Sequence, residues 1–414
     1  RIFMFFLIGP ETISSSDDVG YLAGGLFFAE TGMITVWEQV PTALIMPGMP
    51  LVTGLMALLF GESLAYLVSL KILWILMGCL TPWFVYKSVS LFVPRWYGIL
   101  AAACFLLPNF AWMDNIILTE TPYLLFSTMT LYYTFQMGES PDRKYLWGYA
   151  LSFLLALFFR ANILVMPLFT WAYLLLKRKY GWKELLRRLV VLAAVSLILL
   201  LPWTIRNAIR FDAFIPVSYG TYHPTMLGTY QGYGFPSDEE LDYATHVEQA
   251  VREVYPQYFG EDGSLRDPLQ DQYITHLKHK LKLEYRLEQW WQKDPVSLLV
   301  SFLVIKPRTL LNWPWYWGPG ADALLPLYEV FGKINFFLCA GTVLLSLVRR
   351  RKREICLFLT GYYFLNIYII AMSYAIERYA ALHMVTRYML ASIGLYLAVE
   401  TVKALKARRS GKLS

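Results

Sequence analysis

Residues 63–93 read "SLAYLVSLKILWILMGCLTPWFVYKSVSLFV". Only Lys71 and Lys87 carry charge in this run, which is longer than the roughly 20 apolar residues a helix needs to cross a bilayer. Shorter runs of the same character fall at 1–9, 96–108, 119–137, 145–158, 162–176, 187–204, 323–348, 354–373 and 384–402. Composition agrees: 57% of the 414 residues are hydrophobic and 16% are charged, where a soluble domain carries about a quarter. The expected fold is all-α, a polytopic helical membrane protein with about ten or more transmembrane helices.

The net charge of +7 is then read through the positive-inside rule, and no nucleic-acid partner is expected. The densest basic runs are "KRKYGWKELLRR" (177–188), "RRRKRE" (349–354) and "KALKARR" (403–409). Counting spans between them puts all three on one side, the cytoplasmic one. The four cysteines show no CxxC or Cys/His spacing, so neither a disulfide framework nor a zinc site is implied. The chain opens at Arg1 inside an apolar run, read as a truncated first span rather than a signal peptide.

The same count gathers four segments on the opposite face. They are "SSSDDVGYLAGG" (14–25), the 109–119 connection with Asp114 and nearby Glu120, the turn at Arg160, and a polar stretch from Arg206 to about Asp294. Three regions follow: 1–205, a membrane part whose first outer loop carries the acids; 206–320, a large extracytoplasmic loop with an interfacial helix; and 321–414, C-terminal membrane helices. No P-loop, HExxH or GxSxG is present, so ATP hydrolysis is not expected of this chain.

"SSSDD" is a good helix start, with a serine to cap and acids in the first turn. Glu120 has a bland reading too, with Thr121 as cap and Pro122 at the first helical position. Arg160 and Arg206 are more informative, because Lys and Arg are depleted at outer span ends. A snorkelling interfacial arginine is the alternative for either alone. Together with Arg378 and Arg387 they suggest an anion site beside a base, and Lys306 and Arg308 belong to the same level. Trp313, Trp315, Tyr316 and Trp317 read first as a membrane belt and second as a sugar-stacking surface.

Six motifs occur in an order that resembles the GT-C superfamily, glycosyltransferases that use polyprenyl-phosphate sugars. They are "DDVGYLAGGLFFAETG" (17–32), "MPGMPLVTGLMALLFGES" (46–63), "LPNFAWMDNIILTETPYLLF" (107–126), "RANILVMPLF" (160–169), "LPWTIRNAIRFDAFIPVS" (201–218) and "TRYMLASIGLYLAV" (386–399). The chain looks like the branch of protein O-mannosyltransferases and lipid A aminoarabinose transferases. The resemblance implies a GT-C fold and inverting sugar transfer to an acceptor hydroxyl on lipid, glycan or protein. It implies Asp17 as base, with Asp18 and Glu120 positioning the acceptor or a divalent cation (Mg or Mn). Arg206 and Arg387 are expected at the phosphate, with Arg160 beside them. Where many relatives carry a lysine before a proline, this chain reads "PGMP" (47–50), which leaves Arg206 or Lys71 to hold the donor phosphate. No nucleotide cofactor is expected. The absence of N-x-[ST] favours a prokaryotic plasma membrane over the endoplasmic reticulum, with the active site extracytoplasmic. A polyprenyl-phosphate or lipid flippase, and a non-catalytic accessory subunit, stay open as alternatives.

Overall fold

The computed structural model describes residues 1–311 and 315–409. Among them the chain is helical, with two isolated β-bridges and no strand. The principal helices are α1 (Ile2–Ile8), α2 (Asp17–Thr31), α3 (Gly48–Phe60), α4 (Leu64–Ser90), α5 (Arg95–Ala103), α6 (Glu120–Glu139), α7 (Arg143–Phe159), α8 (Met166–Lys177), α9 (Trp182–Phe211), α10 (Tyr222–Gly228), α11 (Asp271–Lys293), α12 (Ala321–Arg349), α13 (Arg353–Ala371) and α14 (Met384–Arg409).

Each apolar run of the sequence coincides with helix, as a segment without water to bond must satisfy its own backbone. By length and hydropathy, four helices among the described residues can cross a membrane: α4, α12, α13 and α14 as far as Ala407. The bent α9 makes a fifth if it counts as one span. The helix α6 shows why its run is less apolar. It sits inside the bundle, where buried hydroxyls pair across helices: Thr130 with Ser152 of α7 at 3.1 Å, and Thr134 with Thr170 of α8 at 3.0 Å.

The sequence reading assigned no element to 48–60, where α3 forms against α2. Small residues permit that approach. A Cβ on Gly25 would stand 2.6 Å from the Thr53 side chain, and one on Gly54 2.3 Å from Phe28. Tyr66 of α4 then donates to the Leu22 carbonyl at 3.1 Å, tying α2 to the bundle.

The helix α9 continues to Phe211, beyond the Arg206 where the polar stretch was expected to open. Asn207 is buried there and donates to the Ile215 carbonyl at 2.9 Å, folding the chain back on itself. In the loop region α10 packs on α11. Arg286 of α11 is fully buried and donates to Thr229, Asp238, Tyr243 and Pro236, pinning the segment after α10. The apolar stretch that follows breaks into Pro295–Val300, a π turn and Lys306–Leu311.

Trp313 lies outside the described residues. Trp315 is buried against Trp112, at a centroid distance of 4.8 Å, so it does not join a lipid-facing belt; Trp317 is exposed. At the far end of α6 from Glu120, Lys177 pairs with Glu139 at 2.7 Å and Lys179 donates to the Glu139 carbonyl. One basic turn is therefore folded onto the end of the bundle opposite Glu120.

Candidate active site

Four helix ends meet around two arginines. The helix α2 begins at Asp17, α6 begins at Glu120, α7 ends before Arg160, and a short helix, Glu377–Ala381, carries Arg378. Glu120 is fully buried, and its carboxylate accepts from Arg160 at 2.8 Å and from Arg378 at 2.5 and 3.3 Å. Arg378 reaches the other way to Asp17, with Nη1 2.7 Å from its Oδ2. Two carboxylates and two guanidiniums balance. Burial works against the charge on Arg378, but Glu120 and then Asp17 outweigh it and hold the guanidinium above its usual range. Arg160 is raised in the same way, burial opposing and Glu120 prevailing.

Asp17, Arg160 and Arg378 line a cavity of about 550 Å³ whose walls include Tyr21, Thr119 and Asn162 and, across it, Gly220 and Thr225 from the large loop. The Asp17 side chain is 36% exposed, against none of Glu120. One carboxylate is thus open to a ligand, while the other is spent on holding the cations. Tyr21, one turn after Asp17 on the same helix face, has its phenol pushed well above its usual range, first by burial and then by Asp17.

Asp18 is placed differently. Neighbours on a helix point about 100° apart, and Asp18 turns inward, accepting from the amides of Ser14, Ser16 and Val19 at 2.5, 2.9 and 3.1 Å. The expected serine cap is reversed: Ser16 holds the N-cap position without a side-chain bond, and the carboxylate of Asp18 ties the loop. Thr121 likewise does not cap α6; it donates to Asp114 at 2.8 Å, and Asp114 pairs with Arg1 at 2.6 Å.

The other cations expected at the phosphate lie outside the cavity wall. Arg206 donates to the Thr42 carbonyl at 2.8 Å and to Asn207. Arg387 is buried and donates to Asn335, Leu311 and Gly332 at 2.7 to 2.9 Å. Lys71 is buried within α4 and donates to the Gly9 carbonyl at 3.2 Å. Lys306 donates to the Gly228 carbonyl at 3.0 Å, and burial pushes it down to about 7.

The carboxylates weighed as metal ligands do not suit one. The oxygens of Asp18 are taken by backbone amides and those of Glu120 by guanidiniums. Among the described residues no group of three or more His, Cys, Asp or Glu is arranged to hold an ion.

The sequence reading missed the centrality of Arg378, naming it only as one more cation at this level. Its signal was present in "IERYAALH" (376–383), a charged pair in a short connection between two apolar runs.

Residues 41–205 match the family described as dolichyl-phosphate-mannose-protein mannosyltransferase. Two solved structures are similar to the chain. ArnT from Cupriavidus metallidurans in the apo state shows 14% identity and a TM-score of 0.43, over 95% of this chain and 76% of that one. The same protein bound to undecaprenyl phosphate shows 15% identity and a TM-score of 0.42 over the same shares. No curated protein matches.

Proposed function

We propose that this protein is an integral-membrane glycosyltransferase that moves a sugar from a polyprenyl-phosphate-linked donor to an acceptor hydroxyl, with inversion, on the extracytoplasmic face. The observation that carries this reading is Asp17: a carboxylate open to a cavity that two arginines also line. The family match over 41–205, which spans Glu120 and Arg160, supports the donor class.

The acceptor oxygen attacks the anomeric carbon as the bond from that carbon to the phosphate oxygen breaks. Asp17 takes the hydroxyl proton, and polyprenyl phosphate departs as an anion. Because the leaving group is already a phosphate, no second carboxylic acid is required, in contrast to a glycosidase. Protonation of Asp17 leaves the cluster with one excess positive charge as negative charge grows on the phosphate. Arg160 and Arg378 are the cations that face it, and guanidinium suits phosphate oxygens through paired hydrogen bonds. Glu120 does not touch the reacting atoms in this reading; it fixes both arginines.

The test uses purified protein in lipid with a panel of labelled polyprenyl-phosphate sugars, nucleotide sugars and an acceptor lysate. Release of polyprenyl phosphate from one lipid-linked sugar supports the reading and names the donor. No turnover of any donor moves the reading to a lipid-carrier transporter.

A further inference from the structure

A second cavity, of about 740 Å³, lies between α4, α5 and α6 near the ends of α4 and α6 remote from the Asp17 cluster. Gln136, on its wall, is 16 positions after Glu120 along α6, about 24 Å at the rise of an α-helix. The basic turn at Lys177 and Lys179 folds onto this same end.

Its mouth is basic. Lys87 and Arg95 both line it, neither forms an ion pair among the described residues, and no carboxylate belongs to its wall. The ammonium of Lys87 stands 4.9 Å from the centroid of the exposed Trp83 ring. Ser90, also on the wall, has a buried hydroxyl without a hydrogen-bond partner. The wall also carries the apolar Cys79, Leu91, Ile99 and Ala102, beside Tyr86, Tyr132 and Gln136. The adjoining surface exposes Leu76, Leu80 and Leu100, a face that suits acyl chains rather than water.

We infer that this groove binds one anionic glycerophospholipid, its phosphate between Lys87 and Arg95 and its acyl chains along Cys79, Ile99 and Ala102. Charge complementarity selects the headgroup, since two cations without an ion-pair partner offer donors and no acid on the wall repels the phosphate. The apolar wall selects a lipid over a soluble anion, which would gain nothing from it. The donor lipid is a poor candidate because its phosphate must reach Asp17, at the other end of α6. By the positive-inside rule this end is cytoplasmic, the side whose leaflet attracts basic residues to anionic headgroups.

The test measures lipid retention by native mass spectrometry on the full chain in detergent, titrated with phosphatidylglycerol or with phosphatidylcholine of the same acyl chains. Phosphatidylglycerol is expected to bind as one tight equivalent, and Lys87→Gln with Arg95→Gln to weaken it by about thirtyfold. The pair Arg143→Gln with Lys144→Gln, exposed at the same end of the bundle, is expected to change nothing. Alkylation of Cys79 gives a second readout: phosphatidylglycerol should slow it in the wild type and not in the double variant. Equal retention of the two lipids, unchanged binding by the double variant, or Cys79 labelling indifferent to phosphatidylglycerol would overturn the assignment. So would inorganic phosphate binding as tightly as the lipid.

Discussion

Asp17 and Glu120 share one guanidinium: Arg378 stands 2.7 Å from the first and 2.5 Å from the second. The two acids nevertheless differ in kind, because one opens to the cavity and the other is sealed.

Glu120→Gln is therefore expected to fail as a fold before it fails as a catalyst. It leaves the buried Arg378 and the partly buried Arg160 without their main counter-charge, a loss of about 3–5 kcal/mol for a broken buried pair. Asp17 is 36% exposed, so Asp17→Asn should cost no more than about 1 kcal/mol. Thermal melts of the two variants in one detergent check the contrast; equal losses would place Asp17 in the structural role.

Arg387 predicts the opposite of a phosphate ligand. Its donors are spent on Asn335, Leu311 and Gly332, and charged hydrogen bonds of this kind are worth about 1.5–3 kcal/mol each. Arg387→Gln should lower the melting temperature by several degrees and leave the KM for the donor unchanged. A raised KM without loss of stability would restore it to the phosphate.

Gly220 tests the cavity wall. A Cβ there would stand 2.0 Å from the Leu44 carbonyl oxygen, and both residues line the cavity. Gly220→Ala must push two wall segments apart, at a cost of about 1–3 kcal/mol. A change in KM for donor or acceptor is expected. Unaltered kinetics would show that this wall does not meet the substrates.

The loop carries its own pH dependence. His223 of α10 and His276 and His279 of α11 pack together, with His279 centroid distances of 4.6 and 5.4 Å to the other two. Burial lowers all three, and His279 falls to about 4, helped by its histidine neighbours and Lys282. The unfolded chain titrates near the ordinary histidine value of about 6.5. As pH falls from there toward about 4 the unfolded state takes up protons that the native state refuses, so stability is lost. Melting temperature against pH should decline over this window, and His279→Gln should flatten the decline.

The membrane class and most helices were legible because apolar period and length are properties of the chain itself. The helix start at Asp17 was legible for the same reason. What each polar side chain bonds was not, since partners such as Arg378 and Glu120 lie 258 positions apart. Asp17 and Asp18 read alike as a pair, yet one residue of helix rotation sends one to the cavity and the other to the loop amides. The helix α3 escaped notice because it packs as a short helix on α2 and never needs the length of a span.

Single-turnover transfer by Asp17→Asn, measured with the donor the panel identifies and at matched folded fraction, tests Asp17 as the base. General-base loss predicts a rate reduced by about 10²–10⁴ with the melting temperature held within a few degrees. Transfer at the wild-type rate by a folded Asp17→Asn protein would show that Asp17 is not the base.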